Sequence, residues 1–124
     1  MNIIAVFLGG GIGSLVRYGI NEASRKYIPV SFPMGTLLSN LISALLIGWL
    51  MGLALNTTRI NDSMRLLLVT GFCGGFSTFS AFTFETFTLL RSGNSSIAIL
   101  NIFISVAGCL LFLWFGWKLA VANS

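Results

Sequence analysis

Gly71-Phe72-Cys73-Gly74-Gly75-Phe76-Ser77-Thr78-Phe79-Ser80-Ala81-Phe82-Thr83-Phe84-Glu85 is the stretch on which the reading of this chain turns. Apolar sequence leads into it and out of it, as in a membrane span. Its middle carries Gly74-Gly75 and the hydroxyls of Ser77, Thr78 and Ser80 instead. Glycine is costly inside a helix, and Ser and Thr offer the backbone competing hydrogen bonds. A broken helix in hydrocarbon is tolerated only where the released backbone groups face protein, water or an ion. The segment therefore reads as a site within a membrane, with a helix break near residues 74–78.

The remainder of the chain supplies that membrane. Of 124 residues, 56% are hydrophobic and 8% charged, which excludes an ordinary soluble core. A spanning helix needs about 20 mostly apolar residues. Four such runs can be drawn, roughly 2–21, 33–55, 66–90 and 97–120, leaving little for any soluble unit. The expectation is an all-α integral membrane protein: one four-helix transmembrane domain over residues 1–124, its third helix broken at the centre. The first run reads as a retained helix, because its positive charge, Arg17, comes late and no charged segment precedes it.

The net charge of +4 does not point to nucleic acid, since the basic residues are scattered along the loops. They bear on topology instead. With the N-terminus cytoplasmic, Arg59, Arg65 and Lys118 lie on one side of the membrane and Arg25, Lys26 and Arg91 on the other. Three against three gives the positive-inside rule no direction to choose. Both an antiparallel dual-topology homodimer and a single-topology protein with weak bias are compatible with that balance.

Each span carries polar residues. In the first, Gly9 and Gly13 share a face suited to close helix packing, and Arg17 either snorkels to the interface or lines a vestibule that attracts anions. Glu22, Arg25 and Lys26 then mark an aqueous connection ending at Pro29 and Pro33. In the second, Thr36, Asn40 and Ser43 fall at i, i+4 and i+7 on one face, and Gly48 and Gly52 form another glycine pair. An unpartnered amide in hydrocarbon is expensive, so Asn40 is interhelical glue or a pore contact. Asp62-Ser63 offer N-cap residues for the third span, and Glu85 is the one carboxylate within a span. In the fourth, Asn101, Ser105 and Cys109 recur every four residues, and Trp114, Trp117 and Lys118 read as interfacial anchors. Cys73 and Cys109 both fall inside spans, where they act as small apolar residues, not as a disulfide.

Enzymatic readings find no support: the chain has no histidine, no paired carboxylates, no nucleophile elbow and no phosphate loop in a strand-to-helix setting. What it offers is hydroxyls and amides inside membrane spans, with carboxylates almost absent. Cation pores present carboxylates or ordered carbonyls, whereas donor-rich, weakly basic surfaces suit anions. Aromatic ring edges carry partial positive charge, and Phe79 and Phe82, three residues apart, project from one side just after the break. Four helices enclose little space, so a transport path calls for more than one subunit.

Three segments together resemble the Fluc fluoride channels, also called the CrcB family. They are Gly9-Gly10-Gly11-Ile12-Gly13-Ser14-Leu15-Val16-Arg17-Tyr18, Gly35-Thr36-Leu37-Leu38-Ser39-Asn40, and Gly71 through Phe82, in the family's order and at its spacing. The resemblance implies an antiparallel dual-topology homodimer in the cell's inner (plasma) membrane, with two passive fluoride pores. It also implies one central structural Na⁺, held by backbone carbonyls of both subunits; here those of Gly74 and Ser77. It places Phe79, Phe82 and Asn40 in the pore, Arg17 in the vestibule and Glu85 after the phenylalanine pair, with Asn101, Ser105 and Thr36 along a polar track. Ser77 stands where the family often has Thr, Ala81 replaces a small hydroxyl residue, and Cys109 sits where a hydroxyl is more usual.

The expected function is passive, fluoride-selective export that lowers fluoride toxicity. The alternative is a small dual-topology proton-coupled multidrug exporter, also a four-helix dimer. That reading needs a protonatable carboxylate in the first helix, whose apolar core has none. A non-transporting membrane assembly factor is a third class, and it leaves the glycine break and the spaced phenylalanines unexplained.

Overall fold

Long runs of Leu, Ile, Val and Phe must satisfy every backbone polar group internally when no water is present, and helices do so within one segment. A computed structural model describes residues 2–28, 32–56 and 61–122, with the side chains of Leu55 and Asn56 excepted. Pro29 and Arg59 lie outside the described residues. Helix α1 spans Asn2–Tyr27 and α2 spans Met34–Asn56. The third span has two halves. Its first, α3, joins an α-helical turn at Asp62–Arg65, a π-helical stretch at Leu66–Cys73 and a last α-turn at Gly74–Phe76. Its second, α4, is Phe79–Arg91, and the chain closes with α5 at Ser95–Ala122. The described residues thus contain 4 helical spans long and apolar enough to cross a membrane, the third running from Asp62 to Arg91. This is a multi-pass membrane protein.

Three local expectations are corrected. Glu22, Arg25 and Lys26 sit on the last turns of α1, not in a connecting loop. Cations there oppose the negative end of the helix dipole, and Arg25 pairs with Glu22 one turn back. The N-cap of α3 is Asn61, one residue earlier than expected, its side chain accepting from the Met64 amide at 2.8 Å. The glycines are not where the third helix breaks: Gly74 and Gly75 remain helical, and the chain turns extended at Ser77 (φ −87°, ψ 155°) and Thr78 (φ −153°, ψ 118°).

The glycines serve close approach instead. A Cβ on Gly13 would run into the Phe72 carbonyl oxygen and the Phe76 amide, and one on Gly75 into the Gly10 carbonyl. α1 and α3 therefore meet backbone to backbone, the kind of contact that small residues permit in membranes. α2 and α5 form a second such seam, with Gly48 against the Leu113 carbonyl and Gly116 against that of Leu45. Gly93, at φ +86°, makes the left-handed turn between α4 and α5.

Burial is inverted relative to a soluble protein. Ser24, Thr36, Ser39, Ser43, Thr86, Asn101 and Ser105 are buried, while Phe7, Leu15, Phe103 and Leu110 face outward. An apolar exterior around a polar interior is the arrangement a bilayer demands. Near the end of α5, Lys118 Nζ lies 5.4 Å from the Trp114 ring centroid, as suits an interfacial anchor.

Candidate functional site

The break determines which backbone groups are available. Cys73 O receives three donors: the Ser77 amide at 2.9 Å, Ser77 Oγ at 2.8 Å and Ser43 Oγ at 3.2 Å. A carbonyl has two lone pairs, so this one is fully engaged. Gly75 O accepts from Arg17 Nε at 3.1 Å. Gly74 O and Ser77 O are treated differently. The Thr78 amide, which would close a helical bond onto Gly74 O, donates instead to Asn40 Oδ1 at 2.8 Å. The Ala81 amide, which would close onto Ser77 O, donates to Thr78 Oγ1 at 3.2 Å. The break therefore turns the Gly74, Phe76 and Ser77 carbonyls out of the helix ladder, while those at 73 and 75 are occupied. Gly74 is moreover exposed on this single chain.

Immediately after the break, Thr78 caps α4 and sends Phe79 and Phe82 out on one side of it. Their ring centroids are 5.7 Å apart at an interplanar angle of 42°. Phe79 is 79% exposed, like several other phenylalanines of this chain, but it stands beside a polar cluster. A cavity of about 190 Å³ is lined by Asn40, Phe79, Phe82, Ser105, Val106 and Cys109. A second, of about 290 Å³, shares Asn40, Phe79 and Cys109 with it and reaches Ser43, Ser77 and Thr78. Asn40, Phe79 and Cys109 thus border two neighbouring hollows, one reaching the break and the other Phe82.

Behind the rings runs a buried polar chain. Ser105 Oγ donates to Asn101 Oδ1 at 3.1 Å, Asn101 Nδ2 donates to Thr86 Oγ1 at 3.0 Å, and Thr86 Oγ1 donates to Phe82 O at 2.7 Å. Ser105 reaches the cavity wall; Asn101 is set back from it, 1% exposed. Thr86 was not among the residues singled out from the sequence. Its signal was its position, four residues after Phe82 and seven after Phe79 on one helical face.

Thr36 and Glu85 form a separate pair, Thr36 Oγ1 donating to Glu85 Oε2 at 2.8 Å, while Glu85 Oε1 is buried with no partner among the described residues. Glu85 lines a cavity of about 390 Å³ that runs to Tyr18, Asn21, Glu22 and Arg25 at the end of α1. Arg25 stands on the wall of this cavity, whose lining does not include Arg17. Arg17 is half-buried and points its guanidinium at the helix end before the break.

Asn40 holds the centre. Its Oδ1 takes the Thr78 amide and its Nδ2 reaches the Thr78 carbonyl at 3.4 Å, so one side-chain amide grips both sides of that residue's backbone. Nδ2 carries two N–H donors, which leaves a second on a residue that lines both cavities. Cys73 is buried and Cys109 half-buried, both as free thiols.

Compared with known families, residues 4–117 match the model described as "CrcB-like protein, Camphor Resistance (CrcB)". The chain belongs to the CrcB family. Several curated CrcB-type relatives carry the name fluoride-specific ion channel FluC. The protein of that name from Clostridium perfringens (strain 13 / Type A) is 41% identical over 117 residues, covering 94% of this chain and 91% of its own. That from Pyrococcus furiosus is 42% identical over 118 residues, covering 95% and 94%. That from Geobacter sulfurreducens is 44% identical over 114 residues, covering 92% of each. CrcB membership and near-complete coverage in both directions make this chain similar to these channels along almost its whole length.

Proposed function

We propose that this chain is a passive fluoride-selective channel of the cytoplasmic membrane, working as an antiparallel dual-topology homodimer with two pores, and that it relieves cells of trapped fluoride. The observation that carries the reading is the hollow in which Phe79, Phe82, Asn40 and Ser105 meet, neighbour to the one that reaches the helix break. The names of the relatives supply the ion.

Fluoride holds its water tightly, so a pore must replace that water with donors. Here the remaining Asn40 N–H and the two phenylalanine edges would meet the ion at the narrow point, in a wall free of formal negative charge. Ser105 continues the polar lining, backed by the buried Asn101, and the proposed track would resume at Thr36 in the cavity of Glu85. Glu85 sits where that track meets the vestibule, held by Thr36. Arg17 contributes positive charge close to the break, and Arg25 contributes it at the mouth.

The second copy is supported by what one copy leaves uncovered. Phe79 and Gly74 are exposed, although one belongs to the proposed pore and the other carries a carbonyl released by the break. The even charge count across the membrane allows the two copies to insert in opposite directions. At their meeting point the carbonyls of Gly74 and Ser77 from each copy fit a central Na⁺, since a hard cation takes oxygen ligands and these two are released from the helix ladder. Such an ion would supply fixed positive charge at the dimer centre.

The test is fluoride efflux from proteoliposomes, comparing the wild-type protein with Phe79→Ile and Phe82→Ile. Rapid efflux by the wild type with chloride excluded, and its loss in either variant, is the expected outcome. A folded, dimeric protein that conducts no fluoride, or conducts chloride equally well, refutes the proposal.

A further inference from the structure

The proposed cation site consists of two carbonyls that face away from their own helix, and an unwound backbone does not stay open unaided. The Thr78 amide has an intrahelical acceptor at hand in Gly74 O, and an i→i−4 bond there would heal the break. What prevents it lies on another helix. Asn40 Oδ1 takes that amide at 2.8 Å, and Asn40 Nδ2 reaches the carbonyl of the same residue at 3.4 Å. Three residues further along α2, Ser43 Oγ donates to Cys73 O at 3.2 Å, on the other side of the break. Asn40 and Ser43 share one face of α2, so a single rigid helix grips the chain at residues 73 and 78, with Gly74 and Ser77 between. Ser77 adds its own hydroxyl to the saturated Cys73 carbonyl.

We infer that α2 is a splint for the cation site: Asn40 and Ser43 are positioning residues that hold Gly74 O and Ser77 O open for Na⁺. Asn40 then acts twice, setting the cation site through Thr78 and facing the anion hollow beside Phe79. The two ions are coupled through one amide. This inference rests on the Na⁺ reading proposed above, and the experiment separates the failure of one from that of the other.

The readout is thermal unfolding of the purified dimer in detergent, with Na⁺ exchanged for N-methylglucamine at constant ionic strength. An ion that binds only the folded state raises the unfolding temperature with its concentration. In the wild type that rise defines an apparent Na⁺ midpoint. Ser43→Ala removes one of the three donors on Cys73 O, and loss of a single neutral hydrogen bond corresponds to a midpoint about three- to tenfold higher. Asn40→Ala lets the Thr78 amide return to Gly74 O, so the Na⁺-dependent rise disappears. Asn40→Asp keeps an acceptor for that amide and restores the rise, even though its charge beside the anion path lowers fluoride flux. If Asn40→Ala does not fold, Ser43→Ala and Asn40→Asp decide the matter. Unchanged midpoints in the alanine variants, or a drop in unfolding temperature equal at every Na⁺ concentration, overturn the splint. A wild type with no Na⁺-dependent rise overturns the cation reading itself.

Discussion

Thr86→Val tests the buried polar chain behind the phenylalanine pair. The Thr86 hydroxyl donates to Phe82 O at 2.7 Å and accepts from Asn101 Nδ2 at 3.0 Å, and both side chains are buried, at 7% and 1% exposure. Valine fills much the same volume, so packing changes little and the hydrogen bonds bear the effect. The Asn101 bond joins two helices, and such bonds average about 0.6 kcal/mol in membranes, whereas the bond to Phe82 O lies within α4 and adds little. The Asn101 amide left behind has no other partner for Nδ2 among the described residues and is buried, which raises the cost; an abandoned buried donor is worth about 1–3 kcal/mol. The expected destabilisation is therefore about 1–2 kcal/mol, roughly five- to thirtyfold in the unfolding equilibrium. Reversible unfolding of reconstituted protein by a denaturing detergent measures it. A double-mutant cycle with Asn101→Leu isolates the pair: removing both partners should cost less than the sum of the single losses, with a coupling of about 1 kcal/mol. Ser105 then loses its acceptor at Asn101 Oδ1, but a helical serine can turn its hydroxyl to its own backbone. Coupling within about 0.3 kcal/mol of zero refutes the argument.

Three further outcomes rest on local geometry. Gly13→Ala forces α1 away from the Phe72 and Phe76 backbone and should cost about 1–3 kcal/mol, whereas Gly19→Ala, with nothing within 4 Å, should be neutral or stabilise by up to about 1 kcal/mol; unfolding titrations of the two variants side by side decide it. Asn61→Ala deletes the N-cap of α3 and should destabilise by about 1 kcal/mol, with Asn61→Ser recovering most of the loss in the same assay. Arg25→Gln breaks an exposed pair with Glu22 and should change stability by less than about 1 kcal/mol at low salt, a difference that vanishes in molar salt, where the Debye length falls to about 3 Å.

The four spans were legible because hydrocarbon imposes length and composition on any helix that crosses it. That the third was interrupted was legible too, from hydroxyls and glycines in its middle. Which of those residues interrupt it was not. Gly74 and Gly75 look like the breakers in a one-dimensional reading, but both stay helical, the missing Cβ of Gly75 is used against Gly10 on α1, and the extended residues are Ser77 and Thr78. Asn40 was visible as an amide that needed partners, yet no local pattern says that its partner is the backbone of a residue on another helix. Thr86 escaped notice because threonine in an apolar helix ordinarily bonds its own turn, which it does here as well; only the packing of α5 reveals the second bond, to Asn101. Arg17 illustrates the same limit. Its charge was plain, and its direction, toward Gly75 O, came from the way α1 lies on α3.

The two glycine seams also say something about biosynthesis. α1 packs its backbone on α3, and α2 packs its backbone on α5, so each closest partnership skips over an intervening span. Helices leave the ribosome in order. When α2 enters the bilayer, α1 still lacks its partner, and α2 in turn waits until the last residues of the chain have emerged. α1 and α2 do touch, where Gly35 lies against Asn21, but neither meets its closest backbone partner until a later span has entered. A chain interleaved in this way makes its tightest helix contacts late, which suits the insertion in both directions proposed above on a charge balance of three against three.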